Sequence, residues 1–192
     1  VWYQPDGKVT VGRKAKRNLF GYSDQPGHKF IPSVKRTLGK NRSFRVFNQV
    51  KTPVDVSSDI FRYLLSQAQE DKGLKDRNIP ANEAVVTIPV YFNGPARRDL
   101  RKAANLAGLY VKTFVHEPFA AVVAHCIGRD GDNSLERLEG KNILVFDWGG
   151  GTLDITVAGI RNGSMTELAT SGLEDRAGDH FDESLMKFAQ SR

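Results

Sequence analysis

At 192 residues with a net charge of +6, the chain is long enough to bury a core, in one large domain or two small ones. No apolar run approaches the ~18 residues of a membrane-spanning helix, and the opening VWYQPDGKVT is not a signal peptide, so no membrane partner is expected. The single Cys126 excludes an internal disulfide framework, reads as a small buried side chain, and fits the reducing cytoplasm.

Charge is spread unevenly. Residues 1–60 carry 12 Lys and Arg against 4 Asp and Glu, whereas residues 61–192 carry 16 against 18. A basic first third suits nucleic acid, an acidic partner or a polyphosphate ligand, or is simply a solvated face. Its cations are scattered through GRKAKRNLF and SVKRTLGKNRSFR with no tight run and no aromatic-rich RNA signature, so nucleic acid is not the expected partner.

In chain order, VWYQPDGKVTVG reads as a hairpin turning at Asp6-Gly7, and AKRNLFG (15–21) as a helical turn. The region 1–54 otherwise alternates short strands with Gly and Pro turns. DVSSDIFRYLLSQAQEDKG predicts a helix capped by Asp55 or Ser57 and stopped at Gly73. EAVVTIPV (83–90) is expected to be a strand covered on both faces. A helix follows over GPARRDLRKAANLAG, with Pro95 in its first turn and Gly108 at its end. LYVKTFV (109–115) predicts a strand and EPFAAVVAHCIG (117–128) a helix, and the polar stretch 129–141 reads as a connector. NILVFD, TLDITVAGI and MTELATSG then predict an antiparallel meander whose second turn is Asn162-Gly163, followed by a helix near Asp179. The alternation of strands and helices predicts an α/β layered fold. The chain opens inside a hairpin and closes on FDESLMKFAQSR without a helix stop, so both ends read as cut.

The chemistry concentrates in VFDWGGGTLDITV (145–157). Three consecutive glycines are entropically costly. The loop joins two strands and lacks the lysine of a Walker motif, so it is neither a Walker loop nor a dinucleotide fingerprint. Two readings stand: a glycine hairpin flanked by surface aspartates, or a nest of amides from Gly149, Gly150 and Gly151 around a phosphate. In the second reading Thr152 adds a hydroxyl and Asp147 faces a hydrated Mg²⁺. Glu117 stands at a strand-to-helix transition, as a first-turn capping acid or a site residue. His116 and His125 do not form a zinc pattern. Lys35-Arg36, and Arg97 with Arg101, read by themselves as solvated cations.

Taken together and in order, these segments resemble the nucleotide-binding domain of the seventy-kilodalton heat-shock chaperones of the bacterial DnaK type. VVTIPVYFNGPARRDLRKAANLAGLYVKTFVHEPFAAVVAH is similar to that family's Val-Pro-Ala-Tyr-Phe-Asn, helix, Ala-Gly-Leu and Asn-Glu-Pro-Thr-Ala-Ala-Ala run. VFDWGGGTLDITV resembles its second phosphate motif, SVKRTLGK its Lys-Arg-Leu-Ile-Gly-Arg, and AGDHFDESL its Gly-Gly-Glu-Asp-Phe-Asp. The resemblance implies an actin-like ATPase (ribonuclease H-like) fold, here partial: most of lobe I plus the first β-meander of lobe II. On this reading 1–54 is a peripheral basic part of lobe I with a shortened insertion, 55–128 its helix and βαβα core, 129–141 the connector, and 142–192 the start of lobe II.

The resemblance also implies ATP/ADP and Mg²⁺ as cofactors. Lys35 would reach the γ-phosphate and attacking water. Glu117 and Asp147 would hold the Mg²⁺ water shell, Gly149–Gly151 and Thr152 would cradle phosphates, and Asp154 would flank them. Pro89 and Arg97 match residues that relay nucleotide state to a substrate domain, and Arg101 falls where the family often has lysine. Implied partners in the intact protein are nucleotide, unfolded polypeptide clients, a J-domain co-chaperone and a nucleotide-exchange factor, in a stress-response setting. The implied activity is ATP hydrolysis by the intact protein, with this fragment inactive alone because the family's first phosphate motif and adenosine segments are not in it. Trp148, Phe119, His116 and Ala177 stand where the family has leucine, threonine, asparagine and glycine. Two other readings are a degenerate, non-catalytic relative acting as an interaction module, and a ribonuclease H-like two-metal nuclease using Asp147 and Asp154.

Overall fold

In the computed structural model, which describes residues 1–127, 134–173 and 177–191, the predicted first hairpin forms around Gly7, whose φ is 81°. Strand β1 (Trp2–Tyr3) pairs antiparallel with β2 (Val9–Thr10) on one side and β3 (Lys29–Phe30) on the other, with α1 (Arg13–Tyr22) between β2 and β3 in sequence. The chain divides into two compact units: Val1–Val86 with Phe92–Thr113, and Thr87–Tyr91 with Phe114–Arg192.

The first unit also holds a 3-10 turn (Val34–Thr37), the hairpin β4 (Phe44–Val46) and β5 (Gln49–Lys51), and helices α2 (Pro53–Glu70), α3 (Lys72–Asp76) and α4 (Gly94–Leu106). Its core gathers Tyr3, Ile31, Val34, Val46 and Val56. The sequence expectation for the start of α2 needs correcting. Thr52, not Asp55 or Ser57, is the cap: its hydroxyl accepts the Asp55 N–H while the Asp55 carboxylate accepts the Thr52 N–H, a capping box with Pro53 in the first turn. Nor does Gly73 stop the helix. The chain leaves α2 at Asp71, whose carboxylate caps α3 through Leu74 N–H, so Gly73 lies inside that short second helix. Helix α4 behaves as predicted, capped by Asn93 and released at Gly108 with φ 82°.

Strands β6 (Glu83–Ile88) and β7 (Tyr110–His116) form a two-stranded sheet. The expectation that 83–90 is covered on both faces fails. Along β6, half-buried and exposed residues alternate, Val85 is 56 % exposed, and only Ile88 at the end is buried.

The second unit is organised by the predicted meander, β8 (Asn142–Trp148), β9 (Leu153–Arg161) and β10 (Ser164–Leu173), accompanied by α5 (Glu117–Ile127), α6 (Ser134–Arg137) and α7 (Gly178–Gln190). Asn162 and Gly163 both take positive φ, as the tight β9–β10 turn requires. The Glu139 carboxylate clamps that turn by accepting the N–H of Asn162 at 2.7 Å and of Gly163 at 3.0 Å. Side chains alternate across the sheet. One face carries Val145 and Asp147 with the buried Asp154, Thr156 and Ala158; the other carries Leu144, Phe146 and Trp148, all more than half exposed. The Cys126 side chain and residues 129–133 of the expected connector lie outside the described residues.

Candidate functional site

The glycine triplet sits at the first turn of the meander. Asp147 pairs directly opposite Asp154 and Trp148 opposite Leu153, so Gly149, Gly150, Gly151 and Thr152 form the connecting loop, closed by the Gly149 N–H donating to the Thr152 carbonyl at 2.9 Å. None of the three glycines is in the left-handed region, so unusual dihedrals are not what the loop needs. At Gly150, and at Gly178 facing the loop, the packing favours bare backbone. A Cβ on Gly150 would lie 3.1 Å from Asp179 Oδ1, and one on Gly178 would lie 3.3 Å from the Gly149 carbonyl.

That crowding comes from α7. Its first N–H groups, which lack intrahelical acceptors, donate to the loop: Gly178 to the Gly149 carbonyl at 3.0 Å and Asp179 to the Gly150 carbonyl at 2.8 Å. The Gly149 and Gly150 carbonyls are thereby turned to the helix. Among the described residues, the N–H groups of Gly150, Gly151 and Thr152 have no hydrogen-bond acceptor, which leaves three consecutive donors for an anion or water.

The aspartates flank this loop on one face of the sheet. Asp147 on β8 is exposed, Asp154 on β9 is buried, and Gly172 on β10 completes the row opposite Asp154. A Cβ on Gly172 would come within 2.5 Å of Asp154 Oδ1, so glycine there is what admits the carboxylate. Gly172 was not singled out in the sequence, although a glycine inside a strand pattern is a signal of close approach. Deeper on the same face the Thr156 and Thr170 hydroxyls share a hydrogen bond of 2.9 Å.

The start of α5 faces this side of the sheet as well. Glu117 is its first residue and is half-buried. Pro118 and Phe119 line a cavity of about 280 Å³ together with Phe114, Val145, Met165 and the pair His116–Glu167, whose Nδ1 and Oε2 lie 3.5 Å apart. Of the two histidines that form no zinc pattern, His116 meets this carboxylate and His125 is exposed. Pro89 is fully buried within the segment Thr87–Tyr91.

Three of the sequence-level candidates belong to the other unit. Lys35 is exposed on the 3-10 turn, which is anchored by buried Val34, Thr37 and Leu38. The turn ends at Gly39, where φ is 74° and a Cβ would lie 2.7 Å from the Ala96 nitrogen; Gly39 N–H also donates to Asp99 Oδ2. Arg97 donates from Nε to the Phe92 carbonyl and Arg101 from Nη1 to the Val111 carbonyl, each at 2.8 Å, so both help set α4 against the strand and loop beside it. The expectation that they are merely solvated cations is corrected by these bonds.

The side chains that depart from the resembled motifs are accommodated. Trp148 projects to the face opposite Asp147 and does not enter the row of aspartates. Ala177 has φ −119°, a conformation any L-residue adopts, so a glycine is not required there. Phe119 lines the cavity and does not lie in the glycine loop.

Residues 8–192 match the Hsp70 protein family. Among curated relatives, the chain is 34 % identical over 188 residues to the chaperone protein DnaK of Thermoplasma acidophilum, covering 98 % of this chain and 28 % of the relative. It is 33 % identical to the chaperone protein DnaK of Thermoplasma volcanium and 31 % to that of Metamycoplasma hominis, covering 98 % and 95 % of this chain and again 28 % of each relative. The chain thus spans just over a quarter of the length of these relatives.

Proposed function

The chain belongs to the Hsp70 family, and from that premise we propose that it forms part of an ATP-binding and ATP-hydrolysing domain with an actin-like fold, comprising most of the first lobe and the first meander of the second. In the intact protein this domain couples nucleotide state to the binding and release of unfolded polypeptide, with a J-domain co-chaperone and a nucleotide-exchange factor as partners. The observation that carries the reading is the loop of three successive amides at Gly150, Gly151 and Thr152, unoccupied by protein acceptors among the described residues and bordered by Asp147.

That donor set fits a phosphate. The amides and the Thr152 hydroxyl bind its oxygens, the absence of Cβ atoms lets it approach, and Asp147 and Glu117 hold the water shell of a Mg²⁺ ion, which favours one or two carboxylates. Asp154, admitted by Gly172, flanks them. When bound, Mg²⁺ supplies charge neutralisation between phosphoryl oxygens. Lys35 enters this reading through its match to the family's motif alone, as the cation for the terminal phosphoryl group, and Pro89, Arg97 and Arg101 as the relay to the substrate domain. The two-metal nuclease reading has less support: among the described residues no group of three or more His, Cys, Asp or Glu side chains is placed to hold a metal directly.

Titrating the 192-residue chain with Mg-ADP, followed by amide NMR, tests this. The Gly150, Gly151 and Thr152 resonances are expected to shift with a dissociation constant on the order of 1 mM, equivalent to about −4 kcal/mol, and ATP turnover by this chain is expected to stay at background. Shifts elsewhere with none in the loop, or no shifts at all, would sink the assignment of the loop to phosphate.

A further inference from the structure

Helix α1 carries a surface that the nucleotide reading leaves unused. At helical spacing i, i+3, i+4 and i+7, Arg13, Lys16, Arg17 and Phe20 fall on one face. All three cations are exposed, and none of them makes an ion pair among the described residues. Phe20 is 89 % exposed, the most exposed large apolar side chain described.

The helix is not turned this way by looseness. Its opposite face is pinned by buried Ala15 and by Tyr22, whose ring lies 5.2 Å from Trp2; Trp2 in turn stacks on Phe30 at 5.2 Å and donates its indole N–H to His28. With that side anchored, Phe20 is held in water among three cations. The unit that carries it has 21 Lys and Arg against 9 Asp and Glu.

We propose that the Arg13–Lys16–Arg17–Phe20 face of α1 binds single-stranded nucleic acid, the cations tracking phosphates and the Phe20 ring stacking on one base. A scattered set of cations in the linear sequence becomes a recognition face only once the helix aligns it with an aromatic side chain. The alternation of cations with a single planar aromatic matches a strand that offers repeated negative charge and a π-face. A lipid surface is a poorer match, because a helix lying in a membrane presents a broad apolar face, whereas here the outer face holds one apolar side chain and the apolar positions pack inward.

Fluorescence anisotropy of the 192-residue chain with a short labelled single-stranded RNA tests the proposal. Binding is expected at low salt, with a slope of log affinity against log salt of about −2, as three neutralised phosphates give at about −0.7 each. Phe20→Ala is expected to weaken binding by about fivefold or more with the slope unchanged, and Phe20→Trp to restore it. The double variant Arg13→Ala/Arg17→Ala is expected to flatten the slope by roughly 1.4. Excess Mg-ADP is expected to displace nothing, which separates this face from the glycine loop. No anisotropy change at low salt overturns the proposal. So does equal binding by the Phe20→Ala protein, or retention on phosphatidylserine-containing vesicles with no RNA binding. All of these positions are exposed, and circular dichroism of each variant checks that the fold is kept.

Discussion

The first unit gathers Tyr3, Ile31, Val34, Val46 and Val56 into one core between a short sheet, a hairpin and α2, while Phe20, Val50 and Leu64 stay more than half exposed. In the second unit the division runs across one sheet. One face of its meander buries Asp154, Thr156 and Ala158 of β9, while the other leaves Leu144 64 %, Phe146 58 % and Trp148 58 % exposed, and Phe181, Leu185 and Phe188 of α7 are exposed to a similar degree. Charge divides the same way, with 7 Lys and Arg against 13 Asp and Glu in the second unit. The lesson is that apolar content alone does not locate a core. In the first unit a few buried apolar residues mark the core; in the second, buried Asp154 and Thr156 mark the face on which the site is built.

The sharpest way to break this contrast is a matched pair of substitutions. Val56→Ala, at a fully buried position, is expected to cost about 2–3 kcal/mol by denaturant unfolding, from lost transfer energy and the cavity left behind. Leu144→Lys is expected to stay within about 0.5 kcal/mol because it changes an exposed side chain. A cost at Leu144 equal to that at Val56 would mean that the outer face of β8 is covered in solution. Within the second unit, Gly172→Ala is expected to cost roughly 1–2 kcal/mol, since the new methyl group would sit 2.5 Å from Asp154 Oδ1 and must displace that carboxylate. The same variant is expected to reduce the Mg-ADP shifts at Gly150 and Gly151; unchanged stability and unchanged shifts would show that Asp154 is not held by Gly172.

Much of this was readable in the sequence, for physical reasons that differ by element. The meander was legible because period-2 alternation, an Asn-Gly turn and a glycine triplet are local signals. Helix α4 was legible for the same reason, with Pro95 and Gly108 marking its ends. The start of α2 was misjudged because a threonine before Pro53 competes with Asp55 as the cap, and the two act together as a capping box. β6 was misjudged because an unbroken apolar run does not say how many faces find a partner. The role of the glycines could not be read at all: a dihedral need and a close approach look alike in sequence. Only the arrival of α7 at the Gly149 and Gly150 carbonyls distinguishes them. Gly172 is the same case, since its partner Asp154 lies eighteen positions away on the neighbouring strand.

The smallest expected effect lies at the other end of the meander and tests whether its two turns are held by different means. The glycine loop is fixed by helix amides donating to its carbonyls, whereas the Asn162-Gly163 turn is fixed by a carboxylate accepting its amides. The Gly163 and Asn162 N–H groups hold the Glu139 carboxyl below its ordinary value. A depressed folded value means that the contribution is fully present above the unfolded value of about 4.3 and is lost as pH falls through the lower folded one. The Gly163 amide resonance is therefore expected to be constant from neutral pH down to the ordinary carboxylate range and to move only below it, with faster hydrogen exchange at the turn once the carboxylate is protonated. In Glu139→Gln, whose amide oxygen still accepts but does not titrate in this range, that movement is expected to disappear while the Gly150 and Gly151 resonances stay where they were. A Gly163 resonance that titrates at the ordinary glutamate value, or one that still moves in the Gln variant, would show that the clamp does not hold the turn and that the two ends of the sheet are not fixed by opposite hydrogen-bond polarities.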